Sequence, residues 1–236
     1  MTNYKSAWIT SMGIVLAAFV FGIFFYLSRI SDRTIRVVGY ATQDFEADIV
    51  KWSFNLSLPV SLDGLNNGYR QMKNKLDTFQ KLWDAKNISV DELQIRPVSV
   101  QKRYAEYGKV IGYNLEQNIY IVSRNIKDIE EITINPVDFV KKNLAFEYSR
   151  IEYFSSTLDD IKKQLLSHAT RNARERAEEI VAMTESGKIG KMLSARAGVF
   201  QITEPLSTEI AGYGLHSTST RKKSIKVTVN AVFSID

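Results

Sequence analysis

Two histidines and no cysteine are the soft metal ligands in this 236-residue chain, and neither histidine has the neighbours that metal chemistry needs. His168 falls three residues past the apolar Leu165 in a helical pattern, and His216 falls in a hydroxyl-rich segment. Neither has a Cys, Asp or Glu at ligand spacing. Asp159-Asp160 is a carboxylate pair, but it stands in the first turn of a predicted helix, where acids complement the helix dipole. Gly212-Tyr213-Gly214 is shorter than a phosphate loop and does not stand between a strand and a helix. The basic cluster Arg221-Lys222-Lys223 is expected to solubilise its loop or to meet an acidic patch on a neighbouring subunit, with anionic lipid as an outside alternative. No constellation for nucleophilic, acid–base or metal catalysis emerges, so the expectation is a protein that is not an enzyme and needs no cofactor.

Charge distribution also bears on partners. The net charge is +5, yet the most basic-looking helix, Leu158–Glu185, sets five cations against six acids. That face is a solvated mixture and no track for a polyanion, which argues against nucleic acid. The aromatics Trp52, Phe54, Trp83, Tyr104, Tyr107, Tyr113, Tyr120, Tyr148 and Tyr153 fall mostly at core positions of strands and helices; a glycan platform would need several tyrosines on one sheet face.

The run from Ala7 to Leu27 decides where these residues work. It carries no charge and is long enough to cross a bilayer, which takes roughly 20 apolar residues. Trp8 and Tyr26 lie near its ends, where interfacial aromatics are favoured. A cleaved signal peptide would have a shorter apolar region, about 7–15 residues, ending in small side chains, and Phe24-Phe25-Tyr26-Leu27 is bulky. The expectation is a retained anchor over residues 1–30, buried in lipid through residues 7–27, and a soluble domain over 31–236. Arg29, Arg33 and Arg36 follow the span, so charge bias does not favour a cytoplasmic N-terminus, while the lack of cysteine suits an extracytoplasmic space.

Periodicity organises the soluble part. Val50, Trp52, Phe54, Leu56 and Leu58 alternate with polar residues as in a half-buried strand. Ser61 is placed to cap a helix whose stripe runs through Leu65, Tyr69, Met72, Leu76, Phe79 and Trp83. Strands are predicted over 93–105 and 111–123, joined by a turn at Glu106-Tyr107-Gly108-Lys109. A connecting helix over 127–142 must start, kink or divide at Pro136. The order then repeats: a strand over 144–155, a helix capped by Ser156 or Thr157, a strand over 188–200, and a last strand through Ile225, Val227, Val229, Ala231, Phe233 and Ile235. The fold class is thus α/β in the α+β sense, two β-α-β-β units joined by a helix, with a largely antiparallel sheet. The second helix carries Ala169, Ala173 and Ala177 on its stripe, small residues that allow close approach to a sheet or partner helix. The segment 204–224, with its glycines and hydroxyls, is too long for a plain connection and reads as a contact arm or a floppy tip.

Arg33-Thr34-Ile35-Arg36-Val37-Val38-Gly39-Tyr40-Ala41, the strand closing on Leu58, Ile111-Gly112-Tyr113, Arg171-Asn172-Ala173-Arg174-Glu175-Arg176-Ala177-Glu178 and the closing strand Ile225–Phe233 together resemble the SIMPL-domain family, which includes exported bacterial proteins described as periplasmic immunogenic or oxidative-stress-defence proteins. The resemblance implies assembly of some members into ring-like or channel-like homo-oligomers and supplies no catalytic residues. It further implies a single-pass protein of the bacterial inner membrane whose domain faces the periplasm and supports envelope integrity or stress tolerance. The expected partner is the chain itself, through Ala169, Ala173, Ala177, Tyr213, Arg221, Lys222 and Lys223. The alternative is a binding module for an envelope ligand such as a glycan, a lipid headgroup or another protein.

Overall fold

The structure is a computed structural model that describes residues 3–29, 33–184 and 187–236. The expected boundary between anchor and domain, at residues 30 and 31, lies outside the described residues. The first element, α1 (Asn3–Arg29), contains an uninterrupted apolar span, Trp8–Tyr26, of 19 residues with mean hydropathy 2.2. The side chains of Trp8–Tyr26 are all exposed, and this span is long and apolar enough to cross a membrane.

The strands and α-helices that follow among the described residues are β1 (Thr34–Glu46), β2 (Ile49–Val60), α2 (Leu65–Ala85), β3 (Glu92–Ile95), β4 (Ser99–Tyr104), β5 (Val110–Ser123), α3 (Ile126–Ile134), α4 (Val137–Val140), β6 (Glu147–Phe154), α5 (Leu158–Thr184), β7 (Ile189–Ala197), β8 (Gln201–Thr203), β9 (Leu215–His216) and β10 (Lys222–Ile235). They form two five-stranded sheets. One has the order β3-β5-β2-β6 with β4 also on β5, and the other has β1-β10-β8-β9 with β7 also on β10. The β-α-β-β order along the chain stands, but the sheets exchange strands: β6, which opens the second half, pairs with β2, and β1 pairs with β10.

Four expectations are refined. The strand expected over 93–105 divides at Pro97, which has no N–H to give to a ladder. Pairing slips there by one residue, from Ile95↔Ile119 to Ser99↔Glu116. Pro136 divides the connecting helix into α3 and α4. The strand expected over 188–200 ends at Ala197, and its continuation is the short β8. Ser61 does not cap α2: Gly64 holds the N-cap position without a side-chain bond, and Ser61 donates its hydroxyl to Asp63 at 2.8 Å.

The chain divides into two compact units. The larger holds Ala41–Ser167 and Val199–Val227. Its core is the alternating face of β2, with Val50, Trp52, Phe54 and Leu56 all fully buried against Met72, Phe79 and Trp83 of α2 and Leu115, Ile119 and Ile121 of β5. Each such side chain contributes about 1.5–3 kcal/mol by leaving water. Trp52 and Phe54 lie 4.3 Å apart between ring centroids, and the Trp52 indole N–H donates to Ser149 Oγ at 2.9 Å, which satisfies its polar end.

The smaller unit comprises the described residues of Met1–Tyr40, His168–Gly198 and Thr228–Asp236. Here α5 lies on β1. A Cβ added at Gly39 would stand 2.7 Å from Ala173 Cα and closer still to Ala169 O and Ala173 N, so the strand backbone touches the helix backbone where both residues are smallest. Two polar bonds fix the approach: Asn172 Oδ1 accepts from Tyr40 N at 3.1 Å, and Arg176 Nη1 donates to Val38 O at 3.0 Å. The Arg176 guanidinium also stacks 4.8 Å from the Tyr40 ring centre.

Candidate interaction surface

The arm between Glu204 and Leu215 begins and ends on adjacent strands, because β9 lies parallel to β8 through Gln201↔Leu215 and Ile202↔His216. β8 in turn pairs with the start of β10, at Thr203↔Ser224 and Ile202↔Ile225. The Gln201 amide clamps the arm at both polar atoms of one residue, donating to Ala211 O at 2.8 Å and accepting from Ala211 N at 3.3 Å. Ala211 O also accepts from Gly214 N at 3.0 Å, and Gly214, at φ 92°, supplies a left-handed turn that other residues resist.

Below the arm, Glu204 Oε1 accepts hydroxyl bonds from Ser217 and Ser219, each 2.6 Å long, lengths expected when the acceptor is charged. These two donors hold the Glu204 carboxyl down at about 2. Lys223, almost wholly buried, donates to Ser217 O at 2.7 Å; burial pushes its ammonium below the ordinary lysine range, and Glu204 partly offsets this. Thr218 ties the following residues to β6, accepting from Tyr153 N at 2.8 Å and donating to Glu152 at 3.2 Å. The Tyr153 phenol, partly buried and bonded to Glu130 at 2.7 Å, rises to about 12.

On this fixed base the arm carries Leu206, Ile210 and Tyr213, which are 100%, 74% and 88% exposed. Three large apolar side chains are thus turned to water on a segment held by side-chain hydrogen bonds. Leu206 also sits at φ 65°, a conformation that a branched apolar side chain adopts at a cost.

The residues singled out from sequence fall into three groups. Tyr213 and Lys222 are exposed, as a contact requires. Ala169, Ala173 and Ala177 are fully buried inside the chain, so the alanine face is occupied by β1 and is not available to a second copy. The basic cluster is likewise dispersed: Arg221 Nε meets Glu46 at 2.8 Å, and Lys223 is buried beneath the arm, so neither presents a charge to a neighbour in the way expected. Trp8 and Tyr26 lie exposed near the ends of the apolar span. His168 is exposed on α5, and burial together with Lys162 and Lys223 lowers His216. Asp159 and Asp160 pair along the helix with Lys162 and Lys163 at 3.5 and 3.4 Å.

Among the described residues no group of three or more His, Cys, Asp or Glu is placed to hold a metal ion. Three cavities of about 290, 310 and 520 Å³ are lined respectively around Asp128 and Asp138, around Val181 and Ile189, and around Asp48 and Arg221; none of the three has an aromatic lining residue. The residues missed in the sequence were Gln201, Glu204, Ser217 and Ser219, which hold the arm, together with Leu206 and Ile210. Their signal was present as apolar residues at 206, 210 and 213 in a segment otherwise rich in glycine and hydroxyls.

The pattern that defines SIMPL, described as a protein of unknown function (DUF541), matches residues 35–233. No curated protein matches the sequence.

Proposed function

The chain belongs to the SIMPL family, and we propose that it is a membrane-tethered interaction module without catalysis that assembles with copies of itself. The observation that carries this reading is the pinned arm with Leu206, Ile210 and Tyr213 held out in water. An ordered arm loses little conformational freedom on docking, so its three apolar side chains add affinity more effectively than a floppy loop would. β7 offers a second surface. Among the described residues it pairs with β10 alone, and every residue from Lys191 to Ala197 is exposed, which leaves a long strand edge open to a partner strand. Tethering by α1 would confine copies to one plane and raise their effective concentration. Heterologous use of arm and edge would close into a ring in the periplasm, in support of the bacterial envelope and its stress tolerance.

The test is a photo-crosslinking residue at Tyr213 in the full-length protein in native membranes. Covalent multimers of the chain itself are the expected product. Irradiation that yields only the single chain, or only an adduct with another protein, overturns the reading.

A further inference from the structure

The smaller unit has an uncovered end whose distance from α1 is limited by the chain. Four peptide steps separate Arg29, the last residue of α1, from Arg33, a span of at most about 14 Å. Arg33 marks one end of the unit: its carbonyl accepts from Ile235 N at 2.8 Å, and Lys188 exchanges backbone bonds of 3.0 and 2.9 Å with Asp236 beside it. The end of α5 lies there as well. Val37 packs with Ala173 and Ala177, and α5 runs opposite to β1, since Gly39 meets Ala169 and Ala173. From Val37 to Arg33 the strand advances about 13 Å, and from Ala177 to Met183 the helix advances about 9 Å. Met183 therefore lies within about 4 Å of the level of Arg33.

Two large apolar side chains are turned to water at this end. Met183 is 88% exposed and Ile180 48%. Next to them a hollow of about 310 Å³ is lined by Val181, Ala182, Gly187 and Ile189, with Glu178 and Lys188 at its edge. Arg33, Lys188 and Lys191 are exposed on the segments that meet here, and so are Glu178, Glu179 and Asp236. Exposed apolar tips with lysine and arginine among the flanking charges match the layer between headgroups and acyl chains, where the cations meet phosphate and the apolar groups enter below. We infer that the end of the smaller unit formed by Ile180, Met183, Lys188 and Arg33 rests on the phospholipid surface in which α1 is anchored. The inference depends on α1 spanning the bilayer. It gives the domain a fixed footing, so that the unit stands on the membrane and does not swing on its tether.

The chain has no cysteine, so a single introduced one reports position without ambiguity. Full-length Met183→Cys, labelled with an environment-sensitive fluorophore, is reconstituted in vesicles of phosphatidylcholine with and without phosphatidylglycerol. Lipids carrying a quencher at a shallow acyl position are then added. Ala197→Cys is the comparison, about 26 Å further along β7 from Ile189. The expected result is blue-shifted emission at 183, more than half quenched in both vesicle compositions, with an unquenched label at 197. To exclude attraction by the dye itself, the label is moved to Lys191→Cys, where adding Met183→Asp and Ile180→Asp should abolish the quenching. Equal quenching at 183 and 197, or none at 183, overturns the inference. An alkaline wash separates the premise: protein released by it refutes the anchor, whereas protein retained with an unquenched 183 refutes only the footing.

Discussion

Gly39→Ala tests how closely α5 and β1 must approach. The added methyl would sit 2.7 Å from Ala173 Cα and nearer to two further backbone atoms, Ala169 O and Ala173 N. None of the three belongs to a flexible side chain, so the helix itself has to move outward by about 0.7 Å or more to reach ordinary van der Waals separation. That movement strains the Tyr40–Asn172 and Val38–Arg176 bonds, each contributing about 1 kcal/mol, and loosens Ala173 and Ala177 against Val37 and Phe233. Overpacking alone costs about 1–3 kcal/mol. With partial loss of the two bonds the expected destabilisation is about 3 kcal/mol, which for a domain of this size lowers Tm by about 6–12 °C. Circular dichroism melts of the detergent-solubilised chain read this directly. Gly212→Ala is the comparison, because nothing lies within 4 Å of a Cβ there, and it should leave Tm unchanged. A Gly39→Ala protein that melts with the wild type would refute the argument that the alanine face is committed inside the chain.

Other outcomes follow from the same structure. Phe79→Ala, in the core of the larger unit, should cost about 3–5 kcal/mol and be visible in chemical denaturation. The folded Glu204 titrates at about 2, below its ordinary 4.5, so its contribution to holding the arm is present above 4.5 and is lost as pH falls toward 2. Protection factors for amide exchange at Ser217 and Ser219 should therefore fall over that interval in the wild type, while Glu204→Gln, with no charge to lose, should show lower protection than wild type near neutral pH and little further loss with acid. Identical profiles for the two proteins would remove the carboxylate from the account. Replacing Leu206, Ile210 and Tyr213 together by serine should reduce assembly without altering the melting temperature, because all three side chains already face water.

The elements that sequence reading found best were those whose side chains alternate or recur on one face. β2 appears as Val50, Trp52, Phe54 and Leu56 in strict alternation, and the same four residues are the fully buried ones. The stripe of α2 and the alternation of β10 are equally direct, since burial on one side writes a period into the residues. The alanine stripe of α5 was visible too, but its occupant was not. What fills that face is the absence of a side chain at Gly39, more than 130 residues away, and a glycine leaves no periodic mark. The break at Pro97 could have been drawn from proline's missing donor, yet the one-residue slip depends on the partner strand. The arm was least legible. Its order comes from polar bonds such as Gln201 to Ala211 and Glu204 to Ser217 and Ser219, which single out positions by distance in space, and a run of glycines and hydroxyls conceals them. Lys223 was misplaced for a related reason: in a basic triplet at the edge of a loop, strand alternation turned the third cation inward.

Self-assembly is the central claim, and the mass of the full-length protein in detergent, measured by light scattering with the detergent contribution subtracted, tests it most directly. One uniform species of several chains is expected, losing mass when Leu206, Ile210 and Tyr213 are replaced. A monodisperse single chain under conditions where the fold is intact would contradict it.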